Sequence, residues 1–115
     1  MTLGGHGKRV VIGEDDEPIA NLLRDAINEE PDYHATVVSD GRKILESVGG
    51  GGADLLILDI MMPGLSGFEV YDRLRADPRT KSMPVLFISA AVGHFSEDLL
   101  RRGITDDEVQ ATPYG

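Results

Sequence analysis

Glu14, Asp15, Asp59 and Ser89 are the residues whose type and position could do chemistry. Each stands at the end of an apolar run: Glu14 and Asp15 after Val10-Val11-Ile12-Gly13, Asp59 after Leu55-Leu56-Ile57-Leu58, and Ser89 after Val85-Leu86-Phe87-Ile88. Carboxylates that converge without a matching cation raise one another's pKa unless a divalent ion sits among them, and hard oxygen ligands in this number suit Mg2+. A carboxylate held beside such an ion, with a hydroxyl nearby, is equipped to accept a phosphoryl group. That transfer needs mainly in-line positioning and neutralisation of the equatorial oxygens.

The elements that must position these groups can be read in order. Leu55 to Leu58 has the character of a strand covered on both faces, and Met62-Pro63-Gly64 breaks the backbone behind Asp59. Ser66 with Glu69 three positions later forms a capping box that starts a helix, whose apolar face carries Phe68, Tyr71 and Leu74 and which Asp77-Pro78 ends. Earlier in the chain, Val10 to Ile12 reads as the first strand. Asp16 reads as a helix cap, Pro18 suits a first turn, and Ile19, Leu22, Leu23, Ala26 and Ile27 make one stripe expected to be buried. Tyr33 to Val38 is a second strand, and Ser39-Asp40-Gly41 caps a short helix with Ile44, Leu45 and Val48. Gly49 to Gly52 follow a helix instead of opening one, which argues against a phosphate cradle. Pro84 to Ile88 is a fourth strand, Ser96 to Gly103 a short capped helix, and Glu108 to Ala111 a weak fifth strand. The alternation predicts an α/β fold with a parallel sheet and ligands beyond the carboxyl ends of its strands.

At 115 residues the chain has room for a single core, so residues 8–115 are expected to form one domain behind a glycine-rich tail, residues 1–7. The absence of cysteine excludes disulfides, thiolate metal sites and thiol nucleophiles. A net charge of −9 disfavours nucleic acid and anionic lipid as partners. With no long apolar run and no leader pattern, a cytoplasmic location is expected. His6, His34 and His94 lack ligand spacing, and Met61, Met62 and Met83 read as packing residues.

These residues resemble the receiver domain of two-component response regulators. Glu14-Asp15 is similar to its acidic pair and Asp59 to its phosphoacceptor. Asp59-x-x-Met62-Pro63-Gly64-x-x-Gly67 is similar to its signature loop, and Ser89-Ala90 to its Ser/Thr-Ala switch. The resemblance runs from about Lys8 to Tyr114. It implies a flavodoxin-like, doubly wound three-layer sandwich with a five-stranded parallel sheet. It implies Mg2+ on Glu14, Asp15, Asp59 and the backbone carbonyl of Met61, and Ser89 as the switch hydroxyl. The implied partner is a histidine kinase or histidine phosphotransfer protein, with room for an output domain or partner beyond residue 115 and for a homodimer.

Two departures accompany the resemblance. Thr112 precedes Pro113 where the family places a Lys, and Val109 stands where the fifth strand usually carries an aromatic. The family's closing helix would lie beyond Gly115. The readings that compete are therefore a phosphoaccepting receiver and a degenerate receiver that only docks partners. A haloacid-dehalogenase-type hydrolase is set aside because its second Asp would fall at Met61.

Overall fold

A computed structural model describes residues 7–49, 52–89, 96–104 and 109–111, the side chains of Ser89, Ser96 and 109–111 excepted. The elements alternate as β1 (Lys8–Gly13), α1 (Glu17–Asn28), β2 (Tyr33–Val38), α2 (Gly41–Val48), β3 (Leu55–Asp59), α3 (Gly67–Ala76), β4 (Val85–Ser89), α4 (Ser96–Arg101) and β5 (Val109–Ala111). All neighbouring strands are parallel, in the order β2-β1-β3-β4-β5. The strand order steps away in both directions from the β1–β3 pair, which is where a doubly wound sheet opens a crevice at its carboxyl edge.

The expectation of a five-stranded parallel sheet is corrected. Four strands of five or six residues, β2-β1-β3-β4, make the sheet; the segment expected to complete it contributes only the three-residue β5 on the outer edge of β4. Composition is in keeping with a weak edge strand: Gln110 interrupts the apolar run.

Side-chain alternation divides the strands between two cores. Val11, Leu56, Leu58 and Phe87 face α2, α3 and α4, where they join Ile44, Val48, Phe68, Val70, Tyr71, Leu74 and Leu99. Val10, Ile12, Ile57 and Ile88 face the other way and receive Ile19, Leu23 and Ile27 of α1. This second core is the thinner one. The stripe expected to be buried on α1 is not: Leu22 is 50% exposed, Ala26 is exposed, and Ile19, Leu23 and Ile27 are half-buried. Ala26 and Ile27 border a groove of about 290 Å³ floored by Val10, Leu55 and Ile57, and Ile19 and Leu22 border a separate one of about 300 Å³. Met61 also departs from the packing reading, with 65% of its surface exposed, whereas Met83 is buried. Among the described residues no helix is long and apolar enough to cross a membrane.

Candidate functional site

Three carboxylates meet at the carboxyl edge of the sheet. Glu14 directly follows β1 and extends its ladder, its N–H donating to the Val38 carbonyl at 3.1 Å. Its side chain turns inward, with 3% exposure, and Oε2 accepts from the amides of Asp15 (3.0 Å) and Asp16 (3.3 Å). Asp15 stays exposed. Asp16 does what a cap residue does: its Oδ1 accepts from the Ile19 N–H at 3.1 Å and so starts α1. Asp59 is the last residue of β3, half-buried, and its Oδ1 accepts from the Met61 N–H at 3.3 Å. One oxygen from each of Glu14, Asp15 and Asp59 falls within 4.8 Å of the others.

No ion pair reaches these three groups among the described residues, so their electrostatics are those of uncompensated charge. Burial and then the hydrogen bond and charge of Asp59 push the Glu14 carboxyl up to about 8. Asp59 is also raised, mainly by burial, while the hydrogen bond from Glu14 works in the opposite direction. Both carboxyls are thus pushed towards their protonated forms, by burial first and then by neighbouring carboxylates. A donor set of three carboxylate oxygens, one of them buried and pushed up by burial and by its acidic neighbour, fits a hard divalent cation.

The loop that carries Asp59 is held by backbone geometry. Ser66 and Glu69 close the capping box, Glu69 N–H to Ser66 Oγ at 3.2 Å and Ser66 N–H to Glu69 Oε1 at 3.0 Å. Gly64 has φ +82°, which suits only a residue without a β-carbon at this turn. Gly67 is closer still: its N–H donates to the Ile60 carbonyl at 2.8 Å, and a β-carbon there would lie 2.3 Å from the Asp59 carbonyl oxygen. Spacing alone gave no sign of that contact. Because the obstruction is backbone, Gly67→Ala is expected to lower stability by about 1–3 kcal/mol and to displace the Asp59 amide resonance. A denaturation midpoint equal to wild type would contradict the packing.

The other residues singled out in the sequence are placed unevenly. Ser89 ends β4 one residue beyond Ile88, which is in register with Asp59, so its backbone stands at the same sheet edge. The Ser89 hydroxyl lies outside the described atoms, and Thr112 lies outside the described residues, directly after Ala111, the partner of Ser89 in the β4–β5 register. Met61 stands in the Asp59 loop with its N–H on Asp59.

The sequence profile of the response regulator receiver domain matches residues 10–106. The chain belongs to that family. Among curated relatives of this receiver domain, the sensory transduction protein RegX3 of Mycobacterium tuberculosis is 41% identical over 81 residues, covering 70% of this chain and 34% of its own. The transcriptional regulatory protein TcrA of the same organism is 39% identical over 84 residues, covering 73% and 32%. The receiver domain thus spans about a third of the length of these relatives. Among solved structures, the receiver domain of Francisella response regulator 1452 superposes with a TM-score of 0.78 at 25% identity, covering 95% of this chain and 87% of that one. The receiver domain of a Pseudomonas aeruginosa sensor histidine kinase shares the fold, with a TM-score of 0.76 at 24% identity and coverage of 95% and 88%; it is described with a magnesium ion coordinated in its active-site cleft.

Proposed function

We propose that this receiver domain accepts a phosphoryl group on Asp59 from the phosphohistidine of a histidine kinase or phosphotransfer protein, with Mg2+ held by Glu14, Asp15, Asp59 and the Met61 carbonyl. The observation that carries the reading is the convergence of one oxygen each from Glu14, Asp15 and Asp59 within 4.8 Å at the carboxyl edge of the sheet. When bound, the divalent ion supplies the positive charge that lets the Asp59 oxygen meet an anionic phosphoryl group. The chain does the rest. Met61 N–H orients the Asp59 carboxylate through Oδ1. Gly67 and the capping box fix the loop so that this orientation is not lost, and Ser89 is the hydroxyl assigned to the phosphoryl oxygens. In the transfer the phosphorus–nitrogen bond breaks as the phosphorus–oxygen bond forms, and the imidazole leaves with a proton. The response then passes to an output domain or partner protein.

A phosphorylation-independent docking module is the less favoured reading, because the acidic triad is complete. The position before Pro113 still matters. In the family a Lys there pairs with the phosphoryl group, and Thr112 supplies no charge. Arg101 and Arg102 do not replace it, being engaged with Asp98 and with Asp72. A charge-assisted hydrogen bond contributes about 1.5–3 kcal/mol, so Thr112→Lys is expected to raise beryllofluoride affinity about tenfold to hundredfold. Equal affinity in the two proteins would show that another group already provides the charge. The reading itself is tested by intact mass: a small phosphodonor should add one phosphoryl group with Mg2+ and none after chelation. No addition under either condition would overturn it.

A further inference from the structure

Arg102, directly after α4, reaches back across thirty residues to α3. Its Nε and Nη2 donate to the two carboxylate oxygens of Asp72 at 2.8 and 2.9 Å, the bidentate geometry in which arginine binds a carboxylate most firmly. Nη1 donates to the Asp98 carbonyl at 3.2 Å, which ties the same guanidinium to the body of α4. The Cζ atom sits 4.5 Å from the centre of the Phe68 ring. Phe68 and Asp72 are four residues apart on α3, so one guanidinium covers both. The Arg102 side chain is 20% exposed and that of Asp72 52%, so the pair lies at the surface with the guanidinium largely covered, and salt can still screen it.

The place where the clamp grips α3 gives it significance. Phe68 follows Gly67, whose N–H is bonded to the residue after Asp59, and its ring packs on Phe87 of β4, 5.6 Å between centres. α4 has few other anchors: it is six residues long, with Leu99 buried and Leu100 77% exposed. Its other ion pairs, Arg101–Asp98 and Arg102–Asp98, stay within α4 and the residue after it, and among the described residues no further ion pair joins it to another element.

We propose that Arg102 is a positioning residue that latches α4 onto the first turns of α3, so that α4 and the Asp59 loop open and close as one unit. The latch is a property of the unliganded chain; only its meaning for signalling rests on Asp59 being the phosphoacceptor. It is tested by amide hydrogen exchange on the 115-residue protein without ligand. Asp72→Asn removes the charge at nearly constant size on an exposed side chain and should leave the fold intact. Exchange across 97–102 is expected to rise about tenfold, and exchange at the Gly67 amide to rise with it, while β1 amides stay unchanged. In wild type, about 1 M salt should reproduce part of the effect, and in Asp72→Asn it should not. In an Arg102→Met background, Asp72→Asn should add nothing further. Unchanged exchange in α4 would overturn the latch. Faster exchange in α4 with an unchanged Gly67 amide would overturn the link to the Asp59 loop, and additive effects of the two substitutions would show that they do not act through each other.

Discussion

Mg2+ affinity is expected to fall about fifty-fold between about pH 8 and about pH 6. A cation can displace the proton on Glu14 only in the fraction of molecules that have lost it, and for a carboxyl at about 8 that fraction drops from one half to about one hundredth. The same proton sets the stability of the metal-free domain. Glu14 holds its proton to about 8 when folded and releases it near the ordinary value of 4.5 when unfolded. Between these values the native state binds more protons than the unfolded one, so stability is greatest at the acidic end and declines as pH rises towards 8. Saturating Mg2+ should remove most of that decline. Isothermal calorimetry across this range, with urea midpoints in parallel, checks both halves. A pH-independent affinity would mean that Glu14 is already ionised without metal.

Asp59→Asn should separate stability from function. The substitution keeps the shape of the acceptor and removes the charge that holds the proton on Glu14, leaving burial as the remaining cause of its raised pKa. Near pH 8 the metal-free variant is therefore expected to be more stable than wild type by about 1–3 kcal/mol, with the difference shrinking towards pH 5. Phosphoryl incorporation should be lost entirely, because Asn offers no anionic oxygen. A residue whose replacement stabilises the fold while abolishing the activity is one whose charge is kept for chemistry. An Asp59→Asn protein less stable than wild type at pH 8 would show that the carboxylate supports the fold instead.

Much of this site was legible in the residues. An apolar strand ending in Asp59, a Met-Pro-Gly break and a Ser66/Glu69 box announce a strand, an acidic turn and a helix. The structure places all of these where the pattern puts them. The acidic run Glu14 to Glu17 was less informative, since composition does not say which member turns inward. That is decided by the β1 ladder, which carries Glu14 one step further through its amide and buries it while Asp15 remains in water. The α1 stripe shows the limit of periodicity. Ile19, Leu22, Leu23, Ala26 and Ile27 do form an apolar face, but a period reports that a face exists and not that a partner covers it. The Arg102–Asp72 clamp was hidden for a different reason: it joins residues thirty positions apart, which no local pattern reports.

The measurement that bears most directly on the account is the location of the phosphoryl group. After incubation with a phosphodonor and Mg2+, borohydride reduction converts an aspartyl phosphate to homoserine, which peptide mass spectrometry can locate. The label is expected at Asp59 alone. A label at Glu14, Asp15 or Asp16, or persistence of the label in Asp59→Asn, would contradict it.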